Sequence, residues 1–488
     1  EYLWYRRSFR LEGWKEKNDR RLLLHFGAVD QSCVVLINGR RAARHTGGYL
    51  PFSADITKLV TDGENELVVS VKDLTETSWH ARGKQRLKRG GMFYTAQSGI
   101  WQTVWMEEVP EQYIKDVSTE TDIEKGIVTV TVEADEDRPV EIRIQKPRIY
   151  EEPLRMPEDA VKDGMQSGED REIVRASGKT NERLEIKMDD IVLWTCETPY
   201  LYSFTIIMGQ DRAESYFAMR RFSAERDEKG ILRICLNGAP VFQNGVLDQG
   251  YWPDGLYTAP SDEALIFDIR EMKKTGFNMA RKHLKIEPQR WYYHCDRMGM
   301  IVWQDMVNGG GEYKRWFVTY AATVLSWRNI RIKDTHPALF GRKDRNGMGQ
   351  FQTEKLTGLV RELDPSRLID QASGWFDQGG GDLKSIHNYF FALKAVPDEN
   401  RAVALSEIGG YTLRQEEHSA CEKLYGYSAY KDRDSLNRAY AELMKKVKKL
   451  IPEGLCASVY TQWSDIEEEI NGIYTYDREI RKIEVPDL

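Results

Sequence analysis

The stretch Arg401-Ala402-Val403-Ala404-Leu405-Ser406-Glu407-Ile408-Gly409-Gly410-Tyr411 sets a carboxylate directly after a short apolar run and before a Gly-Gly turn. Residues 402–405 predict a strand buried on both faces, as in a parallel sheet covered by helices. A parallel strand that ends in an acid is how a barrel of βα units offers a catalytic group at its C-terminal rim. The same residues also fit an acid that is solvated or paired with a nearby arginine, since many perturbed carboxylates are structural. The rest of the chain separates these readings.

On both sides of that stretch, from about residue 223 onward, short apolar runs alternate with amphipathic segments, the mark of βα units. Strands are predicted at 241–246, 277–281, 300–304, 368–371, 385–389, 402–406 and 457–462. A helix is predicted at 262–275, with Ser261 as its N-cap and Leu265, Ile269 and Met272 at helical spacing. Others are predicted at 288–298, with proline in the first turn, at 352–363 and at 435–447. The mixed charges of 416–448 read as a solvated outer helix. These are seven strands where a closed barrel needs eight, and the empty place lies between Trp303 and Leu368.

Upstream the pattern is different. Residues 1–111 carry short strand-like runs at 21–25, 33–37, 66–71 and 100–106, with Asn38-Gly39 as a hairpin turn. That spacing predicts a β-sandwich or jelly roll. Residues 112–222 predict a second, smaller sandwich, with Val128, Val130 and Val132 on one face and further strands at 141–144 and 183–187. The charged, aperiodic stretch 151–172 reads as a loop. The expected organisation is therefore multidomain: 1–111, 112–222, and a (β/α)8 TIM barrel over 223–488.

Composition narrows the function. A net charge of -7 gives no basic field for nucleic acid. Thirteen Trp and 24 Tyr lean towards carbohydrate, because aromatic rings stack on sugars. The cysteines at 33, 196, 235, 295, 421 and 456 form no CxxC pair, so neither a disulfide framework nor a zinc site is expected. No apolar run reaches membrane-spanning length. No signal-peptide pattern is visible, which reads as cytoplasmic, although the first residue is Glu rather than Met. A homo-oligomer is left open.

A series of local motifs then falls in one order along the chain. Trp4-Tyr-Arg-Arg-Ser-Phe9 is followed by His45-Thr-Gly-Gly-Tyr-Leu-Pro-Phe-Ser-Ala-Asp55-Ile-Thr57, Gly63-Glu-Asn-Glu-Leu-Val68 and Ser98-Gly-Ile-Trp-Gln-Thr-Val-Trp105. Leu193-Trp194, Pro199-Tyr-Leu-Tyr202, Leu236-Asn-Gly-Ala-Pro240 and Gly276-Phe-Asn-Met-Ala-Arg-Lys-His283 come next. Together they resemble glycoside hydrolase family 2, the β-galactosidase/β-glucuronidase family, over nearly the whole chain. The resemblance implies a sugar-binding-type jelly roll, an immunoglobulin-like domain, a TIM barrel, and hydrolysis of β-glycosides with retention.

Retention needs two carboxyl groups about 5–5.5 Å apart, one to attack the anomeric carbon and one to protonate the leaving oxygen. The resemblance makes Glu407 the nucleophile. It places the acid/base in an Asn-Glu pair at the end of the fourth strand, and here Arg345-Asn346-Gly-Met-Gly-Gln-Phe-Gln352 has no Glu after Asn346. Asp344 and Glu354 are the nearest acids, and Arg342-Lys-Asp-Arg345 suits no buried strand. Either the sequence lacks a segment between about Asn346 and Gly349 that carries strand four and its acid, or the enzyme is degenerate. The first is the expectation.

Other polar and aromatic groups at strand ends are candidates for holding substrate: Arg281, His283, Trp303, Asp305, Asn346, His387, Asn388, Tyr389, Asp248, Trp252 and Trp463. Each also fits a packing or ion-pairing role, and Tyr389 is expected to hydrogen-bond Glu407 and keep it ionised. Gly309-Gly-Gly311 and Gly379-Gly-Gly381 lack the strand–GxxxxGK–helix setting of a phosphate loop. No metal and no cofactor is expected. The partner implied is a carbohydrate substrate, galactoside before glucuronide, because no Asn-x-Lys pair follows in the barrel loops. A mannoside, and a non-catalytic carbohydrate-binding protein, are the alternatives.

Overall fold

The computed structural model describes residues 2–17, 19–77, 80–150, 172–307, 338–339, 353–371, 374 and 377–485. In the first section the two larger sheets are antiparallel. One has the order Leu3–Leu11, Gly63–Lys72, Ser32–Ile37, Arg40–Thr46, the other Val104–Pro110, Arg20–Phe26, Phe52–Asp55. Leu22, Leu24 and Phe26 of one sheet bury against Val35, Ile37, Val69 and Val71 of the other, as alternate residues of a strand must when one face is covered. Asn38 and Gly39 both take positive φ, 50° and 75°, so the expected hairpin turn is present.

The second section pairs a three-stranded sheet (Asp116–Asp122, Ile127–Glu133, Arg183–Lys187) with a four-stranded one (Glu172–Lys179, Pro139–Gln145, Tyr202–Met208, Asp211–Phe217). Val128, Val130 and Val132 share its core with Ile142, Ile144, Phe204 and Ile206, as their alternation predicts. Of the loop expected at 151–172, residues 151–171 lie outside the described residues, and Glu172 opens a strand.

The third section holds an eight-stranded, all-parallel sheet. In chain order its strands are β1 (Gln243–Asp248), β2 (Met279–Lys282), β3 (Ile301–Asp305), β4 (Ala338–Leu339), β5 (Ile369–Asp370), β6 (Leu383–Asn388), β7 (Ala402–Gly409) and β8 (Leu455–Thr461). Their spatial order is β5-β4-β3-β2-β1-β8-β7-β6, so the first and last strands are neighbours. The two ends of that row are stitched by Asp382, whose N–H donates to Ile369 O at 2.7 Å and whose carboxylate accepts the Ile369 N–H at 2.7 Å. The fourth place, empty in the sequence reading, is taken by Ala338–Leu339, which pairs with Gln304 and Asp305 on one side and Ile369 and Asp370 on the other. A two-residue strand between a proline and a basic run offers no alternation to read, which is why pattern alone passes over it.

Helices α1 (Asp262–Lys274), α2 (Gln289–Met298), α3 (Thr353–Leu363) and α4 (Arg433–Leu450) lie where periodicity places them, and the Ser261 hydroxyl caps α1 by accepting the Ala264 N–H. Two residue layers divide the section. Leu265, Ile269 and Met272 of α1 pack with Val246, Ala280 and Val302. The alternate strand residues Leu247, Met279, Ile301, Trp303, Ala404 and Val459 form a separate interior cluster that includes Trp194 from the second section. Arg281, Asp305 and Glu407 come next on that region's strands, towards the C-terminal ends. Among the described residues no helix is long and apolar enough to cross a membrane.

Candidate active site

Strand β7 does not stop at Glu407 but runs on to Gly409, and its pairing with β8 slips between Leu405 and Ile408. An irregularity of that kind re-aims a side chain. Leu405 and Ser406 stay fully buried, whereas the Glu407 side chain keeps 12% exposure, enough to meet a ligand.

Among the described residues three groups converge on the carboxylate. Tyr389 donates its hydroxyl hydrogen to Oε2 at 2.7 Å. Arg281 donates from Nη1 to Oε1 at 3.2 Å and to the Ser406 carbonyl at 2.7 Å. His387 places Nδ1 3.2 Å from Oε2. Burial by itself pushes the carboxyl up, but the His387 ring, Arg281, His283 and Lys84 outweigh it and hold it down at about 2. Burial drives the His387 ring down to about 4, so near neutrality the ring is neutral and the lasting positive charges acting on Glu407 are the Arg281 guanidinium and, more weakly, Lys84.

Asp305 is the second carboxylate on Arg281, with Nη2 to Oδ2 at 2.9 Å and Nε to both oxygens at 3.1 and 3.2 Å, and it also holds His283 Nδ1. Burial raises Asp305, yet Arg281 and His283 pull it below the usual carboxylate range. An acid so committed holds no proton to donate near neutrality, and its part is to fix Arg281 and His283.

The remaining candidates separate cleanly. Trp303 is wholly buried and gives its indole N–H to Gln243 at 2.6 Å, one layer below Asp305 on the same strand face. Trp463 is also fully buried, 4.9 Å from the Tyr474 ring, and Trp252 lies under the Arg478 guanidinium at 4.2 Å. All three tryptophans are therefore buried, Trp252 and Trp463 in the layer between helices and strands and Trp303 in the interior cluster. Asp248 is spent on a buried ion cluster: it holds Lys282 at 2.5 Å, Lys282 meets Glu287 at 3.0 Å, and Glu287 meets Lys285 at 2.9 Å. Asn388 turns to its own loop, accepting the Phe391 N–H at 2.9 Å. Asn346, and with it the position expected for the acid/base, lies outside the described residues.

The sequence reading missed residues that reach the site from elsewhere. Tyr427 stacks on Tyr389 with centroids 3.8 Å apart. Gly410 makes room for the pair: at φ +69° its missing Cβ would lie 2.4 Å from Tyr427 and 3.1 Å from Tyr389. Gly374 does the same for His387, where a Cβ would fall 1.6 Å from the ring. Lys84 comes from the first section. Its neighbour Gly83 sits against the Leu284 carbonyl, next to His283, and the segment continues to Tyr94 and Thr95, which bond Glu469 and Glu467 beyond β8. The glycines at 83, 374 and 410 were the signal in the sequence for these contacts. Among the described residues His418, Asp477 and Glu479 bring ligand-type atoms within 4.8 Å of one another, at the surface, where acidic groups gather without an ion.

Residues 2–110 match the family model described as "Glycosyl hydrolases family 2, sugar binding domain", and residues 112–220 the model described as "Glycosyl hydrolases family 2". A β-galactosidase of Halalkalibacterium halodurans is 23% identical over 71% of this chain and 34% of its own length. A putative β-glucuronidase of Formosa agariphila is 23% identical over 75% of this chain and 44% of its own length. The chain thus spans between a third and a half of the length of these curated relatives. A solved β-glucuronidase from an uncultured Clostridium sp. superposes with a TM-score of 0.74 at 20% identity, covering 98% of this chain and 86% of the other, which is a likeness of fold.

Proposed function

Because this chain belongs to glycoside hydrolase family 2, we propose that it hydrolyses terminal β-glycosidic bonds with retention, on a third domain that is a closed (β/α)8 barrel. The observation that carries the reading is Glu407 near the C-terminal end of β7, paired with Arg281 and oriented by the Tyr389 hydroxyl. Glu407 attacks the anomeric carbon, the bond to the leaving oxygen breaks, and a glycosyl-enzyme ester forms. Water then cleaves the ester and returns Glu407 as a carboxylate. Tyr389 and Arg281 act by holding one carboxylate oxygen each, so that the attacking lone pair is fixed and charged before substrate arrives. His283, oriented by Asp305, is suited to holding a sugar hydroxyl.

The leaving oxygen requires a proton, and Asp305 is too firmly ion-paired to supply it. No Glu follows Asn346, so the acid/base is taken to belong to a segment that the sequence lacks between about Asn346 and Gly349. Galactoside is the first substrate class, with glucuronide and mannoside after it. A screen of aryl β-glycosides against wild type and Glu407→Gln tests the reading. We expect turnover in wild type and none in the variant, with the thermal midpoint retained; activity surviving in Glu407→Gln refutes the nucleophile.

A second reading, a carbohydrate-binding protein with a degenerate barrel, is favoured by one observation, the lack of a Glu after Asn346. Saturable sugar binding without any turnover in the same screen would support it.

A further inference from the structure

From Glu407 a line of aromatic rings leads outward to solvent. Tyr389 bonds the carboxylate, Tyr427 lies flat on Tyr389 with planes 11° apart, and Phe390 meets Tyr427 edge-on with centroids 5.5 Å apart. The inner two rings are largely covered. Phe390 is 63% exposed and Phe391, the next residue, 78%. Two adjacent phenylalanines held in water forgo roughly 1.5–3 kcal/mol of burial each, so a partner for them is to be sought. The loop that carries them is built. The Asn388 side chain accepts the Phe391 N–H at 2.9 Å and donates to the Ala392 carbonyl at 3.2 Å, a turn that sets both rings relative to β6. On the other flank the Tyr427 N–H donates to the Gly410 carbonyl at 3.2 Å, so the stack is tied to the residues just after Glu407.

We propose that Phe390 and Phe391 form the subsite for the leaving group of the glycoside, and that it takes a flat apolar face: an aryl ring or the C–H face of a second pyranose. The proposal rests on the hydrolase reading of Glu407. Glu407 is mostly covered, with its side chain 12% exposed, so a sugar that meets the carboxylate sheds its leaving group towards solvent. Among the described residues, contacts followed outward from Glu407 lead through Tyr389 and Tyr427 to the exposed Phe390, with the exposed Phe391 next in the chain. Flat apolar faces gain most from such rings, since stacking adds to the area removed from water.

The test compares kcat/KM for 4-nitrophenyl β-D-galactopyranoside, lactose and methyl β-D-galactopyranoside, or for the corresponding glucuronides if those are the sugars turned over. Wild type, Phe390→Ala and Phe391→Ala are measured. The aryl-to-methyl ratio is expected to fall about three- to tenfold in each variant. A parallel fall in the lactose-to-methyl ratio assigns the subsite to a pyranose as well, and a fall confined to the aryl substrate assigns it to aryl groups alone. Unchanged ratios overturn the proposal. So does a variant that changes oligomeric state with its ratios intact, because the rings would then belong to an interface between copies. If wild type turns over no glycoside, the hydrolase reading fails by itself. Calorimetric binding of the same three compounds then decides the subsite: a preference for 4-nitrophenyl over methyl glycoside that the variants lose keeps it, and equal affinities overturn it.

Discussion

A carboxylate in a mostly buried setting is ordinarily driven towards its neutral form, and a nucleophile cannot work neutral. In this chain the remedy is local: one guanidinium, one phenol and one histidine ring on a single side chain. Removing the phenol alone should be visible in a pH profile. Tyr389→Phe deletes a hydrogen bond to the ionised form, so the Glu407 pKa rises from about 2 towards ordinary values. Hydrogen bonds to charged groups are worth about 1.5–3 kcal/mol, or roughly one to two pH units. The acid limb of kcat/KM should move up in pH by about that much, with the folded state kept; a limb that stays in place would count against Tyr389 as the group that keeps Glu407 ionised. Most of this constellation was legible in the sequence, because Arg281, His283, Asp305, His387 and Tyr389 all sit at strand ends. The tryptophans misled because a large apolar ring at a strand end reads the same whether it faces sugar or core.

At the scale of elements, the Gly409-Gly410 turn after β7 is more than a chain reversal. Gly410 lets the segment ending at Tyr427 lie against the loop ending at Tyr389, with no space for a methyl group between them. Gly410→Ala meets both a positive φ, which costs an L-residue about 1–2 kcal/mol, and a Cβ placed 2.4 Å from Tyr427. We expect kcat/KM to fall at least about tenfold together with a lower thermal midpoint. Circular dichroism melts and steady-state rates on one preparation check this, and wild-type behaviour in both would remove Gly410 from the account. The helices were readable for a simple reason. Caps such as Ser261 and apolar spacing such as Leu265, Ile269 and Met272 are local, and α1 and α3 fall within a residue of their predicted bounds. Strand β4 was not readable, because two residues carry no period and only their neighbours on both sides define them as a strand.

Across the whole molecule, the sections are joined through buried polar contacts. Trp194, near the end of the second section, gives its indole N–H to the Asp296 carbonyl at 2.7 Å, and Arg220 pairs with the Asp296 carboxylate at 2.8 Å while lying over the Trp194 ring. Arg220→Met would leave Asp296 buried without its charge partner, a loss of about 3–5 kcal/mol. A thermal midpoint several degrees lower is expected, with the drop shared by far- and near-ultraviolet signals, and an unchanged midpoint would refute the junction's role. The first section reaches the site itself through Lys84. Its charge helps hold Glu407 down, so Lys84→Met should move the acid limb upward, by less than loss of the Arg281 charge would, since Lys84 is the weaker of the two influences. An acid limb that stays in place would remove Lys84 from the account.

The sequence by itself determined the order of sections, the βα alternation, the helices with the Ser261 cap, and Glu407 as an acid near the C-terminal end of a strand. Each of these is written in local spacing, and local spacing is what period, capping and turn chemistry report. Only the tertiary structure decided which strand-end residues meet. It placed Trp303, Trp463, Trp252 and Asp248 in the packing, brought Tyr427 onto Tyr389, filled the fourth strand position with Ala338–Leu339, and carried Lys84 in from the first section. Those contacts join residues far apart in the chain. Whether a side chain faces the core or the ligand depends on what other elements cover it, and no single stretch of sequence holds that information.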